Sequence, residues 1–289
     1  MPGSLSPTIF LIGEKIKSAS CPVPLKIVTT KINDNAKDAL NKLIDQGIHS
    51  MPVTDLQDKF LGIVSMTDFV QFLKMVEVHD ATMGTPNVYR FAKEWVELND
   101  ASVESVMKKS KRKPEILEDT KNLRDAAEKL SNPGIYRVVV LTQDHKVSKL
   151  ITQSQIIELV FKRLNELQED FLNKKVKTIT NYENKEMYKQ VSAVPIVDDN
   201  NNLVGTISER DIRVLASDKD FPACLYNNSS LEFAKKIKSQ RSDMKNQTAI
   251  TCRPDSTIRE IHRVWVTDSN GKLVNVVSLK DIITEIVAI

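Results

Sequence analysis

Four stretches of the chain align with one another without a gap: GIHSMPVTDLQDKFLGIVSMTDFV (residues 47–70), GIYRVVVLTQDHKVSKLITQSQII (134–157), QVSAVPIVDDNNNLVGTISERDIR (190–213) and EIHRVWVTDSNGKLVNVVSLKDII (260–283). Each stretch contains a short apolar strand, a polar turn, a second apolar strand and then a hydroxyl residue. A hydroxyl side chain is a good helix N-cap, because it can accept a hydrogen bond from an amide of the first turn. Each repeat therefore predicts a β-hairpin followed directly by a helix.

The residues upstream of the first two repeats extend this unit. Apolar residues recur there at three- and four-residue spacing over residues 36–44 and 123–130, which predicts an amphipathic helix in each place. Short strands are expected before these helices, at Lys26–Thr29 and Glu115–Leu117. The predicted unit is β-α-β-β-α. At about 50 to 60 residues it is too small to bury its own sheet well, so we expect repeats to pair.

The last two repeats have a shorter upstream segment than the first two. The interval from first strand to hairpin is 21 residues (Val28 to His49) and 20 residues (Ile116 to Tyr136) in the first two repeats, but 13 (residues 179–192) and 12 (residues 250–262) in the others. A crossover between parallel strands needs a dozen or more residues of its own. We interpret the short intervals as places where residues of the protein are missing from the given sequence, near 181–182 and 260–261. Two degenerate repeats are the alternative.

Composition limits the class of protein. The 289 residues, of which 41% are hydrophobic, are enough for about two domains. The 41 basic and 38 acidic residues nearly balance, which disfavours a nucleic-acid-binding surface. No apolar run approaches the roughly 20 residues of a membrane helix, and no secretion signal is recognised. The three cysteines lack metal or disulfide spacing. We expect no membrane or nucleic-acid partner, no metal, and a location in the cytoplasm or nucleus.

No catalytic motif is found in the chain. The phosphate-binding loop of nucleotide hydrolases, the nucleophile elbow, the zinc-protease helix and the dinucleotide fingerprint are all missing from the sequence. Eight glycines leave little for a phosphate-cradling loop. The sequence therefore predicts a binding or regulatory protein and not an enzyme.

The start of each helix carries the pattern S-x-x-D in three of the four repeats. These are Ser65–Asp68, Ser208–Asp211 and Ser278–Asp281, whereas the second repeat has Thr152–Gln155. The repeat resembles the cystathionine β-synthase (CBS) motif. A chain that consists of four such motifs and little else is similar to the γ subunits of AMP-activated and sucrose-non-fermenting protein kinases. The resemblance implies an α/β fold of four CBS repeats, paired into two Bateman modules that form a flat pseudo-symmetric disk. We place the modules at residues 1–166 and 167–289.

The repeats also suggest how a nucleotide could be held. A carboxylate only accepts hydrogen bonds, so at a helix start it suits the two hydroxyls of a ribose, and the cap hydroxyl faces the same cleft. Cationic side chains near the first strand suit the phosphates. The predicted ribose contacts are Asp68, Asp211, Asp281, Ser65, Ser208, Ser278 and Thr152, and the predicted phosphate contacts are His262, Arg263, Arg137 and His49. The kinase subunits carry a histidine where Tyr136 stands and an arginine where His49 stands.

The resemblance implies a function and leaves rivals open. A kinase γ subunit binds AMP, ADP and ATP as regulatory ligands, senses energy state, and assembles with an α catalytic and a β scaffold subunit. One alternative is a four-CBS scaffold that acts without a kinase and has vestigial clefts. Another is a regulatory protein that binds a different adenosyl ligand, such as S-adenosylmethionine.

Several of these residues also have purely structural explanations. An S-x-x-D pattern also starts helices that bind no ligand. His49 could be a partly buried histidine, Trp265 a core residue, and the basic run 108–113 a solvated linker instead of a nuclear-import or acidic-partner patch.

Overall fold

The computed structural model describes residues 6–16, 27–74, 98–110, 113–179, 193–208, 229–239, 251–258 and 264–288. Their contacts divide the chain into two compact units. The first unit comprises Met1–Lys26, Glu115–Thr206 and Asn246–Ile289, and the second comprises Ile27–Pro114 and Ile207–Lys245. Helices and strands are interleaved throughout, so the predicted α/β class is confirmed.

The described elements are numbered here in chain order. The strands are β1 (Thr30–Lys31), β2 (Ser50–Thr54), β3 (Phe60–Ser65), β4 (Glu115–Glu118), β5 (Arg137–Leu141), β6 (Val147–Thr152), β7 (Ala193–Val197), β8 (Leu203–Ser208), β9 (Thr251–Cys252), β10 (Val264–Thr267) and β11 (Leu273–Val277). The helices are α1 (Pro7–Gly13), α2 (Ala36–Asp45), α3 (Met66–Lys74), α4 (Val103–Lys109), α5 (Leu123–Leu130), α6 (Gln153–Lys162), α7 (Glu169–Leu172), α8 (Val176–Ile179), α9 (Ser230–Ser239) and α10 (Leu279–Val287), with a 3₁₀ turn at Leu164–Glu166.

The first two repeats have the predicted β-α-β-β-α order. In the first, β1 lies parallel to β2 and α2 connects them, while β2 and β3 form an antiparallel hairpin that leads into α3. The second repeat has the same arrangement, with β4 parallel to β5 and with β5 and β6 as the antiparallel hairpin. The sheet orders β1-β2-β3, β4-β5-β6 and β9-β10-β11 are therefore equivalent. Among the described residues, the third repeat contributes the two-stranded sheet of β7 and β8.

The first strand lies later than predicted. The sequence favoured Lys26–Thr29, but the pairing with β2 is made by Thr30 and Lys31. The carboxylate of Asp34 accepts hydrogen bonds from the Thr30 hydroxyl (2.7 Å) and the Lys31 amide (2.9 Å). This turn ends the strand just before Asn35, whose side chain caps α2. The apolar residues within 27–29 favoured an earlier strand, but the turn at Asp34 decides which residues pair with β2.

The crossover helices bury their predicted stripes. In α2 the buried residues are Ala36, Ala39, Leu40 and Leu43, and in α5 they are Leu123, Ala126, Ala127 and Leu130. These stripes pack over the inward faces of the hairpins, where Met51 and Val138 have no exposed surface. The small alanines let each helix lie close to its sheet.

The segment that precedes a repeat packs on a different repeat. We call residues 6–16, 98–110 and 169–179 the leader segments of the first, second and third repeats. Leader 1 pairs with the start of the second repeat, leader 2 with the first, and leader 3 with the fourth. Each exchange uses the same two backbone hydrogen bonds. They are Ile16 N to Lys121 O with Leu123 N to Glu14 O, Val103 N to Asp34 O with Ala36 N to Ala101 O, and Val176 N to Ser256 O with Ile258 N to Lys174 O, all 2.9–3.1 Å.

The two compact units divide the chain differently from the predicted modules at 1–166 and 167–289, and the exchange of leaders 1 and 2 takes place within residues 1–166. Leader 1 joins the second repeat in the first unit, and leader 2 joins the first repeat in the second unit. Within the first unit, α10 of the fourth repeat also packs on α5 and α6 of the second. The division into those modules and their arrangement as a disk stay predictions.

The third repeat has an uncovered hairpin face. Val194, aligned with Met51 and Val138, is 47% exposed. In the fourth repeat β9 still pairs in parallel with β10, and the described residues of their connection, 253–258, include no α-helix. The positions 181–182 and 260–261, where we predict omitted residues, lie outside the described residues.

Candidate ligand clefts at the helix caps

The fourth repeat shows how an acidic residue can serve both the helix and a ligand. One oxygen of Asp281, Oδ2, accepts hydrogen bonds from the Ser278 amide (2.8 Å) and the Ser278 hydroxyl (2.7 Å), so the pair forms a capping box at the start of α10. The second oxygen, Oδ1, has the Lys280 ammonium at 3.9 Å. The Asp281 side chain is 23% exposed. One carboxylate oxygen is thus used in the cap, and the other can still accept hydrogen bonds.

The first repeat builds the same cap in a more enclosed setting. Asp68 Oδ2 accepts from the Ser65 amide (2.8 Å) and the Ser65 hydroxyl (2.6 Å). Asp68 is only 3% exposed, because α3 starts beneath the hairpin and Met66 and Phe69 beside it are buried. A ligand would therefore have more difficulty in reaching Asp68 than Asp281.

The second repeat keeps the cap and changes its hydrogen-bonding character. Gln155 Oε1 accepts from the Thr152 amide (2.8 Å) and hydroxyl (3.0 Å), as the carboxylates do elsewhere. The remaining head-group atom is an amide nitrogen, which donates hydrogen bonds where a carboxylate oxygen would accept them. The backbone of this cap is preserved, but the acceptor for a ribose diol is replaced by a donor.

The predicted phosphate contacts in the first two repeats lie beside these caps. The backbone carbonyl of His49 accepts from the Met66 amide (2.9 Å), and that of Tyr136 accepts from the Gln153 amide (3.2 Å), so the two positions are structurally equivalent. Across the ladder Arg137 lies directly opposite Thr152. Side chains so paired have Cβ atoms about 5 Å apart. Arg137 and the second cap therefore belong to one corner of the repeat.

Three predicted contacts lie outside the described residues: Asp211, His262 and Arg263. Ser208 is half-buried at the end of β8, at the position predicted for the third cap.

The family model for the CBS domain matches residues 23–75, 184–218 and 242–288. The chain contains CBS domains in these three segments. These segments contain the first, third and fourth repeats, while the second, which carries Gln155, lies outside them. Its sheet order and its capping box nevertheless match those of its neighbours.

Curated relatives of this chain include two yeast proteins named 5'-AMP-activated protein kinase subunit gamma. The one from Saccharomyces cerevisiae is 22% identical over 91% of this chain and 87% of its own length. The one from Kluyveromyces lactis is 24% identical over 91% of this chain and 85% of its own. A solved structure from Methanocaldococcus jannaschii, described as a candidate archaeal homologue of γ-AMPK, matches with a TM-score of 0.67 at 16% identity and covers 93% of this chain and 98% of that one. The similarity to this archaeal structure supports the fold of the chain.

The third and fourth CBS repeats contact each other through a tryptophan that sequence analysis assigned to the core. Trp265 is 5% exposed, and its indole nitrogen donates a 2.7 Å hydrogen bond to the Thr206 hydroxyl on β8. The two hairpins also join by backbone bonds between Leu203 N and Gly271 O and between Leu273 N and Asn201 O. The core assignment of Trp265 is confirmed. Its polar partner was missed, because nothing local in the sequence links residues 206 and 265.

One position of the repeat was overlooked. Gly62, Lys149, Gly205 and Asn275 align with one another, and all four are buried. At Gly62 the Met107 side chain of leader 2 occupies the place of a Cβ. The Asn275 amide nitrogen has no hydrogen-bond partner in the part of the chain that the structure describes. A column of two glycines among apolar strand residues was the available signal of close approach.

Two further properties of the described residues bear on the site. No group of three or more histidine, cysteine, aspartate or glutamate side chains there could hold a metal ion. None of the helices in the described ranges has the length and apolar character required to cross a membrane.

Proposed function

We propose that this chain is a regulatory subunit that binds adenine nucleotides at its helix caps. The observation that carries the proposal is the divided role of Asp281, whose Oδ2 holds the Ser278 cap while Oδ1 stays able to accept from a ligand. An ionised acceptor at the positive end of a helix suits a ribose diol. We assign the same role to Asp68 and Asp211, with the hydroxyls of Ser65, Ser208, Ser278 and Thr152 facing the clefts.

Cations beside the caps would hold the phosphates. Arg137 opposite Thr152 supports this placement, and from the repeat alignment, in which Arg263 matches Arg137 and Ser278 matches Thr152, we expect Arg263 and its neighbour His262 to serve the fourth cap. Because an arginine can bind two phosphate oxygens at once, we expect the fourth repeat to supply the strongest site. We assign His49 a weaker phosphate contact, since an imidazole lacks the guanidinium fork that binds two phosphate oxygens.

The partner we propose is a protein kinase of the AMP-activated type, with α catalytic and β scaffold subunits. The two yeast relatives, which match most of this chain, support this assignment. In this role the chain has no catalytic activity and acts with its kinase in the cytoplasm or nucleus. AMP, ADP and ATP can signal only to the extent that they bind the two states of the assembly with different free energy.

The test is isothermal titration of the purified, nucleotide-free chain with AMP, ADP, ATP and S-adenosylmethionine. We expect saturable AMP binding that Arg263→Ala weakens at least tenfold, because a charge-assisted contact is worth about 1.5 to 3 kcal/mol. Binding of S-adenosylmethionine alone would contradict the nucleotide assignment. Binding of AMP without copurification of kinase subunits would refute only the proposed partner.

One observation favours a second candidate function. Gln155 presents an amide donor in its cleft, and Tyr136 brings no charge beside it, which are the features of a scaffold with vestigial sites. A folded, nucleotide-free chain that binds no adenosyl ligand, and that captures a non-kinase partner, would favour the scaffold.

A further inference from the structure

The C-terminal end of α4 concentrates positive charge around one serine. Residues 108–113 have the sequence KKSKRK, and Ser110 is the residue that ends the helix. Its backbone is extended, with φ −75° and ψ 124°, and it is half-buried, while Lys108 and Lys109 before it and Lys113 after it are exposed. Protein kinases that select basic flanking residues bind such a segment through their own acidic side chains, so the charge here is complementary to that class of enzyme.

Helix α4 belongs to leader 2 and packs on the first repeat. Val103 and Val106 are fully buried in its core, and Met107 lies against Gly62 of β3. The Lys109 ammonium lies 4.3 Å from the ring centroid of Phe72 on α3. The last turn of α4 is therefore held to α3 by a cation–π contact, which is sensitive to any new charge beside Lys109.

Phe72 connects this contact to the first ligand cleft. It stands four residues after Asp68 on α3, so the two side chains lie on the same side of the helix. The Lys108–Glu104 ion pair on α4 (2.7 Å) adds little stability, because the lysine side chain is 71% exposed to solvent. The Lys109–Phe72 contact is consequently the connection between the basic run and α3 that a charge change would alter most.

We propose that Ser110 is a phosphorylation site for a basophilic serine kinase, and that phosphate there loosens the last turn of α4 from α3. In the reaction the Ser110 Oγ passes its proton to a carboxylate base of the kinase and forms a bond to the γ-phosphorus of ATP. The bond from that phosphorus to the bridging oxygen breaks, and ADP leaves.

The product places about two negative charges at the negative end of α4 and beside Lys109. The phosphate competes with the Phe72 ring for the lysine. This device operates whether or not the clefts bind nucleotide.

The experiment treats the folded full chain with ATP, magnesium and a purified basophilic serine kinase, and locates phosphate by peptide mass spectrometry. After ATP has been removed from both samples, hydrogen–deuterium exchange of α3 (Met66–Lys74) is compared between the phosphorylated chain and a chain treated in the same way without the kinase. We expect one phosphate on the peptide that contains Ser110, none there in Ser110→Ala, and about two- to fivefold faster exchange in α3, the size expected for loss of one exposed cation–π contact.

A control is Ser131, which is likewise the C-cap residue of its helix, α5, but has a helical backbone (ψ −13°) and follows a single lysine, Lys129. We expect no phosphate on it. Failure of the folded chain to accept phosphate at Ser110, or modification of Ser131 to the same extent, would overturn the assignment of the site. Phosphorylated Ser110 with unchanged exchange in α3 would overturn the coupling. Because phosphate is located by mass and exchange is measured after ATP has been removed, both outcomes are separate from those of the binding experiments.

Discussion

Substitution of Asp281 by asparagine separates the two roles of this side chain. In the native protein Oδ2 accepts from both the amide and the hydroxyl of Ser278, while Oδ1 is not part of the cap. An asparagine can place its single carbonyl oxygen at the Oδ2 position, as Gln155 does with Thr152. The cap is then retained, and the atom toward the ligand changes from an ionised acceptor to a donor.

The magnitudes differ enough to be measured. Loss of a charged hydrogen bond to the ribose costs about 1.5 to 3 kcal/mol, or about 10- to 150-fold in the dissociation constant for AMP. The stability of the chain should fall by less than about 1 kcal/mol, since only the favourable interaction of the charge with the α10 dipole is removed. Asp281→Ala should lose the same affinity and, in addition, about 1 kcal/mol or more of stability, because the Ser278 amide and hydroxyl lose their acceptor.

The assay combines isothermal titration with AMP and urea unfolding on each variant. Asp268→Asn is the matched control, because it removes the same charge from the turn of the same hairpin, where Asp268 accepts from the Asn270 and Lys272 amides at 2.9 Å. The control should bind AMP like the native chain. Native affinity in Asp281→Asn would refute the ribose role. A loss of stability in Asp281→Asn as large as that in Asp281→Ala would refute the cap argument.

Three other changes test neighbouring features. Gln155→Glu keeps the Thr152 cap and restores a carboxylate acceptor, so titration should reveal one additional or one tighter AMP site; an unchanged isotherm would contradict the donor-for-acceptor explanation. Gly62→Ala should lower the urea stability by only about 1 kcal/mol or less, because the new methyl overlaps the far end of the flexible Met107 side chain, which can move aside; a loss of several kcal/mol would contradict this. Burial raises the pKa of Asp34, but hydrogen bonds from Lys31 and Thr30 outweigh it and the net pKa lies below the usual 3.8. The native charge therefore stabilises the fold above that pH and ceases to as pH falls through the lowered pKa. Asp34→Asn should be less stable than native at pH 7, and its deficit should shrink as the pH falls below 3.8 through the lowered pKa of Asp34; a deficit that does not change with pH would contradict the charge effect.

Local features were predictable because they depend on residues close in sequence. The repeats, the hairpins and the caps at Ser65, Thr152 and Ser278 follow from hydrogen bonds between residues three apart and from apolar periodicity. The buried stripes of α2 and α5 follow in the same way. The position of β1 was wrong by a few residues, because it is set by the turn at Asp34.

The sequence by itself determined the repeat, its register and the polar groups at the helix starts, since these interactions close within a few residues and recur in the first, second and fourth repeats. Only the tertiary structure decided which repeat each leader segment covers, which repeats share a core, and how far each cap is exposed. Asp68 and Asp281 have the same local motif, yet one is almost fully buried and the other partly open. The physical reason is that burial comes from contacts between segments distant in the chain, such as Trp265 with Thr206, and these contacts leave no mark on the local pattern.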